Sequence, residues 1–265
     1  DPLPVKNLVS YSVEFKSCLG MTTGIKIDFV SDMNLDISKK TSQNIEVFSV
    51  PIDHTITILS KGALIGDKIS TLALHSIGVP QNTGHVPKQI FDVAGLLNSV
   101  DDEIVSDTLN SFDNLTTQKI QNYTSSPIPT TSDILADIDS SLSSLLTMDY
   151  TLTSQHNSIY GSFTSTLLGS TTGNYPKLQH VEDILLTKLI SKLIPQDPSK
   201  YSNQIQVIKN KLNELQRLKQ VHNKDAPAER KNLLDSIPTE ISLNRKILKY
   251  VPLTHVFLAI EHATS

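Results

Sequence analysis

The side chains in this chain best equipped for chemistry are its histidines, eight in number, with the carboxylates and serines around them. His255 and His262 stand seven residues apart with Glu261 beside the second, a spacing that could share one helix face. A metal centre needs a third protein ligand at matched spacing, and the His-Glu-x-x-His arrangement does not occur. Asp53-His54 and His75 fall on neighbouring expected strands. Ser70 or Ser76 would complete a nucleophilic trio, with His85 close behind. Such a trio is defined by geometry, and serines are common enough here that some must fall near a histidine by chance. No glycine-flanked nucleophile elbow is present.

Two further segments touch known phosphate and nucleotide patterns and then depart from them. Gly62-Ala63-Leu64-Ile65-Gly66 precedes Asp67-Lys68-Ile69-Ser70. A phosphate loop puts four residues between its glycines and Lys directly after the second. This stretch has three, with the anion Asp67 where it would repel phosphate, so a hairpin turn is expected. Asn223-Lys224-Asp225 is one residue short of a guanine-reading motif and is expected to be a helix-ending turn. No catalytic residue, cofactor-binding residue or metal ligand is assigned, and no cofactor is implied.

Charge is more informative than these motifs. The net formal charge is −4, but residues 1–176 hold 9 basic against 18 acidic side chains, while residues 177–250 hold 14 against 8. Two parts of opposite sign either attract each other internally, the favoured reading, or face different partners. The basic part interleaves its Lys and Arg with Glu and Asp and offers only Tyr201 and Tyr250 for stacking, which makes nucleic-acid binding the third-ranked reading. Lys211, Arg217 and Lys219 on an expected outer helix form the candidate docking flank for an acidic protein partner.

The one cysteine, Cys18, excludes an intramolecular disulfide and any four-cysteine zinc site. Lying in a strand-like run, it is expected to be a small buried hydrophobe, which points to cytosol or nucleus. No apolar run reaches the roughly 18 residues of a membrane span. The sequons at Asn114 and Asn122 are chance matches in a chain rich in Asn, Ser and Thr.

These residues must be carried by two kinds of element. Up to about residue 76 the pattern alternates with period two. Val9, Tyr11, Val13 and Phe15 oppose Ser10, Ser12, Glu14 and Lys16, and Ile25, Ile27 and Phe29 repeat the pattern. Further strands are expected at Met33–Ile37, Ile45–Val50, Thr55–Leu59 and Ile69–Leu74, with turns including Lys61–Asp67. From Lys88 to about residue 112 the spacing is helical, residues 113–131 read as a polar linker, and a new helical run opens at Ser132 or Asp133. Asn223–Pro227 breaks the pattern. A short helix around Ala228–Asp235, another after Pro238 and a docked apolar tail, Val256–Ile260, are expected beyond it.

The most legible helices are the last pair. Leu178, Val181, Ile184, Leu185, Leu186, Leu189, Ile190, Leu193 and Ile194 make a wide apolar arc, so this helix should be mostly covered. After Pro195 and Pro198, Ile205, Ile208, Leu212, Leu215 and Leu218 make a narrow seam on an outer helix.

The expected architecture is α+β: an N-terminal antiparallel β-meander, residues 1–77, followed by a C-terminal multi-helix region, residues 88–265, packed as one domain or two. The leading functional reading is a non-enzymatic structural or adaptor subunit of a larger assembly, meeting other protein subunits through helical faces. The alternative is an enzyme with a dispersed site of His54, His75 and His85 at the sheet–helix junction. Leu185 and Leu189 lie mid-helix on the wide arc. Changing either to Ala is expected to cost about 2–5 kcal/mol in chemical denaturation, and an unmoved midpoint for both would remove this helix from the core.

Overall fold

The computed structural model describes residues 8–16, 20, 22–30, 39–42, 45–47, 50–52, 56–79, 85–98, 100–123, 125–147, 163, 177–195 and 197–220, together with 231, 232, 235, 254, 257, 258 and 261. Cys18, His54, the expected strand Met33–Ile37 and most of the chain after Gln220 lie outside these residues.

Helix α1 (Lys61–Ser70) stands where the local sequence reads as a hairpin turn and the start of a strand. Ser60 caps it, accepting from the Ala63 N–H at 3.0 Å. Ala63, Ile65, Ile69 and Leu72 are fully buried at helical spacing. The expected turn at Lys61–Asp67 and strand at Ile69–Leu74 are therefore corrected to one helix and the turn that follows it.

The physical reason is a close helix contact that two glycines permit. Gly62 and Gly66 sit one turn apart on the side of α1 that faces α3 (Asp102–Gln121). A Cβ at Gly66 would stand 2.8 Å from both the Phe112 amide nitrogen and the Thr108 carbonyl oxygen. One at Gly62 would overlap the Ile104 carbonyl oxygen and Asp107. Each glycine lowers helix propensity by about 1 kcal/mol against Ala. Backbone-to-backbone packing outweighs that locally, and period reading cannot see it.

Helix α2 (His85–Leu96) packs on α1, and α3 begins at Asp101, whose carboxylate accepts from the Ile104 N–H at 2.8 Å. Asp102 and Glu103 in its first turn favour the positive end of the helix dipole. The helix runs on to Gln121, so the polar linker expected from residue 113 is corrected. Leu115 and Thr116 are buried against the bundle and continue the helical face. Helix α4 (Thr131–Thr147) opens with a reciprocal cap. Thr130 N–H donates to Asp133 Oδ2 at 2.8 Å, and the Asp133 N–H donates to Thr130 Oγ1 at 3.2 Å. Ile134, Ile138 and Leu142, one turn apart, are its fully buried stripe.

Helix α5 (Lys177–Lys192) lies between α4 and α2, and all residues from Glu182 to Ser191 are buried. Helix α6 (Tyr201–Gln220) follows a 3-10 turn at Pro198–Lys200 and packs on α3 through Ile208, Leu212, Leu215 and Leu218. Both expected helices, with a covered inner one and a single-seam outer one, are present.

Among the described residues the strands form three two-stranded ladders. β1 (Leu8–Lys16) pairs with β2 (Thr22–Val30), β3 (Lys39–Ser42) with β6 (Ile56–Leu59), and β4 (Ile45–Val47) with β5 (Val50–Ile52), all antiparallel. Period two gives strand and face but not pairing partner, so the expected meander is not shown. The chain is mostly helical, with short two-stranded ladders at its N-terminal end.

The glycine contact is tested by contrast. Gly66→Ala should destabilise by about 1–3 kcal/mol because α3 backbone must move. Gly95→Ala, where an added Cβ meets nothing within 4 Å, should stabilise by about 0.5–1 kcal/mol. Paired thermal melts check the opposite signs.

Candidate functional site

Helix α4 carries two Asp–Ser pairs at i, i+4, one on each side of its apolar stripe, and each pair holds a different neighbour. On the first side Asp137 gathers the turn after α1. Its Oδ2 accepts from the His75 backbone N–H at 3.0 Å and from Ser76 Oγ at 2.6 Å. Its Oδ1 lies 2.7 Å from His75 Nδ1 and accepts from Ser141 Oγ at 3.1 Å. His, Asp and Ser thus meet, and His75 and Ser76 were both named on sequence.

The geometry is not that of a nucleophilic triad. A triad places the carboxylate on one imidazole nitrogen and the hydroxyl on the other. Both serines here donate to the carboxylate, and Ser141 approaches Nδ1, the nitrogen that already faces Asp137, at 3.3 Å. The cluster instead ties the turn to α4. Ser70 is elsewhere, accepting from Lys119 Nζ at 2.6 Å. His85 is exposed at the start of α2, and His54 lies outside the described residues.

On the other side Asp139 and Ser143 receive Lys188 from α5. The Lys188 side chain is 1% exposed. Its Nζ donates to the Asp139 carbonyl oxygen at 3.1 Å and to Ser143 Oγ. It also stands 2.7 Å from Asp139 Oδ1, an ion pair by distance and not an aligned hydrogen bond. Burial pushes the ammonium below its ordinary value, while Asp139 pulls the other way. A cavity of about 180 Å³, lined by Leu135, Asp139, Ser191, Lys192 and Ile194, opens beside it. It is smaller than the roughly 300–1,000 Å³ of typical ligand sites. Two hydrogen-bond acceptors and a nearby carboxylate hold Lys188 as a polar tie between α5 and α4. The repeated i, i+4 Asp–Ser spacing was the sequence signal for both clusters.

The expected docking flank on α6 is engaged internally. Lys211 pairs with Glu261. Arg217 donates to Glu214 through Nε at 2.9 Å and Nη2 at 2.8 Å, which holds the Glu214 carboxyl below its ordinary value. Lys219 lies 3.5 Å from Asn98 Oδ1 and 3.9 Å from Glu182 Oε1. At about 100° per residue, Arg217 stands roughly 120° around the helix from Lys211, so the three do not form one patch.

The exposed apolar surface lies elsewhere. Among the described residues, Tyr11, Val13, Phe15, Ile27, Ile58 and Leu59 on the strands are exposed large hydrophobics, against only Ile128 and Val207 outside them. Sequence reading found the alternation on β1 but assumed that the apolar face met a core. Compared with family models, curated proteins and solved structures, the chain matches none of them. Among the described residues no group of three or more His, Cys, Asp or Glu could hold a metal ion, and no helix is long and apolar enough to cross a membrane.

The Lys188 assignment predicts an asymmetry. Asp139→Ala should cost about 1–3 kcal/mol, less than a fully buried pair because Asp139 is partly exposed, since it strips the ammonium of its counter-charge. Lys188→Met should be near neutral or stabilising, and the double variant should recover most of the loss. Urea denaturation of the three proteins checks the order.

Proposed function

We propose that this chain is a non-enzymatic structural or adaptor subunit of a larger protein assembly. The observation that supports it is the apolar strand surface. Tyr11, Val13 and Phe15 are 57%, 50% and 43% exposed and occupy alternate positions on one face of β1, while Ile27, directly opposite Tyr11, is 39% exposed. Contiguous apolar surface of this kind marks a contact with another molecule more often than scattered exposed side chains do.

The helical faces favoured on sequence offer less. The α6 seam is buried, and an acidic partner at Lys211, Arg217 and Lys219 would have to displace Glu261, Glu214 and Glu182. That flank is the secondary surface of this proposal, and the same engagement weakens the nucleic-acid reading. The hydroxyl placement around His75 supports a tie between elements over a dispersed catalytic site. A cytosolic or nuclear location belongs to the proposal and rests on the lone cysteine.

Site-specific photo-crosslinking in cells tests it. A benzophenone side chain at Phe15 should capture another polypeptide chain, and one at Lys88 should not. Capture at Lys219 alone would move the contact to α6. No capture at either Phe15 or Lys219 would overturn the adaptor reading.

A further inference from the structure

We propose that the cavity between α4 and the end of α5 binds a small free amino acid with an apolar side chain. Its lining combines three chemistries: Leu135 and Ile194 are apolar, Asp139 and Lys192 carry opposite charges, and Ser191 adds a hydroxyl. Leu135 and Asp139 stand one turn apart on α4, while Ser191 and Lys192 end α5 and Ile194 follows them. Asp139 Oδ1 is buried 2.7 Å from Lys188 Nζ, although the Asp139 side chain as a whole is 41% exposed. The oxygen left to the cavity is therefore Oδ2. Ser191 donates its hydroxyl proton to the Lys188 carbonyl at 2.9 Å, so its oxygen is left as an acceptor. Both acceptors suit an ammonium group, and the C-terminal end of α5 adds the negative pole of the helix dipole. Lys192 suits a carboxylate. Burial lowers the Lys188 ammonium, Asp139 raises it, and the charge of Lys192 lowers it further. A carboxylate bound at Lys192 relieves that last repulsion.

Size narrows the class. The cavity of about 180 Å³ is close to the roughly 150 Å³ that holds one benzene, so it admits roughly six to eight non-hydrogen atoms. Free amino acids from alanine to valine have that size. A peptide terminus is disfavoured on charge, because it brings an ammonium or a carboxylate but not both within that volume. A simple amine or fatty acid gains from only one of the two charges. Ligands this small bind with a Kd on the order of 0.1–1 mM. The site uses no strand residue, and its test is independent of the adaptor reading.

A ligand-observed NMR titration of the purified chain with L-valine reads the binding directly. It should saturate with a Kd on the order of 0.1–1 mM. Isobutylamine, which lacks the carboxylate, and isobutyrate, which lacks the ammonium, should each bind about five- to tenfold more weakly. Lys192→Gln should weaken valine about fivefold and leave isobutylamine unchanged, because only the carboxylate meets Lys192. Leu135→Phe, which fills the cavity from α4, should abolish binding, with far-UV circular dichroism unchanged in both variants. No saturable valine binding up to about 20 mM, well above that Kd, overturns the inference. So does valine binding that survives both variants undiminished, or isobutylamine binding as tightly as valine.

Discussion

A helix buried on all sides can carry polar side chains only if the elements around it satisfy them. Helix α5 is such a helix, and its needs shape the bundle. Thr187 and Ser191 turn their hydroxyls back to the carbonyls of Asp183 and Lys188 at 2.7 and 2.9 Å. Glu182 accepts from Thr254 at 3.1 Å. Lys188 cannot be satisfied within its own helix and takes its acceptors from α4. Helix α4 must therefore present Asp139 and Ser143 toward α5 while its apolar stripe enters the core. Its opposite flank is then free for Asp137 and Ser141 to hold the turn after α1. Two of the five serines of α4, Ser141 and Ser143, serve this double duty despite their low intrinsic helix propensity.

What was legible in the sequence was whatever depends on period. The arc of α5, the seam of α6 and the alternation of β1 and β2 are one-dimensional patterns, and each names an element and a face. What was not legible depends on contact across the chain. Gly62 and Gly66 look like turn residues until α3 lies against them. The polar residues after Asp113 look like a linker until Leu115 and Thr116 are seen to be buried. His75 and Ser76 were singled out as parts of a nucleophilic trio and do meet, but through a carboxylate sixty-odd positions away on α4, beyond any spacing rule, and not in triad geometry. The strands show the same limit, since period two cannot distinguish a face that is buried from one whose side chains stay largely exposed.

Among the described residues ion pairs tie the helices together, and of the five that follow one, Lys209–Asp102, joins the basic part to the acidic part. Lys209 meets Asp102 at 2.6 Å, Lys211 meets Glu261, and Lys119 meets Asp67 at 3.2 Å. Lys68 and Lys88 both reach Asp92, at 3.0 and 2.7 Å. Burial draws the Asp92 carboxyl upward, but hydrogen bonds from the two lysines outweigh it and hold it below its ordinary value. Partly exposed pairs of this kind contribute at most about 1 kcal/mol each. Their larger effect is on register. Helix α6 has one apolar seam, which alone would tolerate sliding along α3 by a turn. Lys209 on Asp102, with Gln216 Nε2 donating to the Asn98 carbonyl at 2.7 Å, fixes the position.

The division of labour between the two parts follows from where apolar surface went. The core draws on residues from Ile65 onward and takes nothing from the strands whose side chains are described. Helices α1 to α6 supply most of this core, with Phe257 and Leu258 added from beyond α6. The β1–β2 ladder has the opposite character: its backbone hydrogen bonds are made, while Tyr11, Val13, Phe15 and Ile27 stay exposed. Two antiparallel strands cannot cover themselves, because both strands present the same face to the same side. Across nine paired positions the register keeps Tyr11, Val13, Phe15 and Ile27 on one face and Glu14, Lys16, Lys26 and Asp28 on the reverse face, so period two separates an apolar side from a charged one even where no core residue is described.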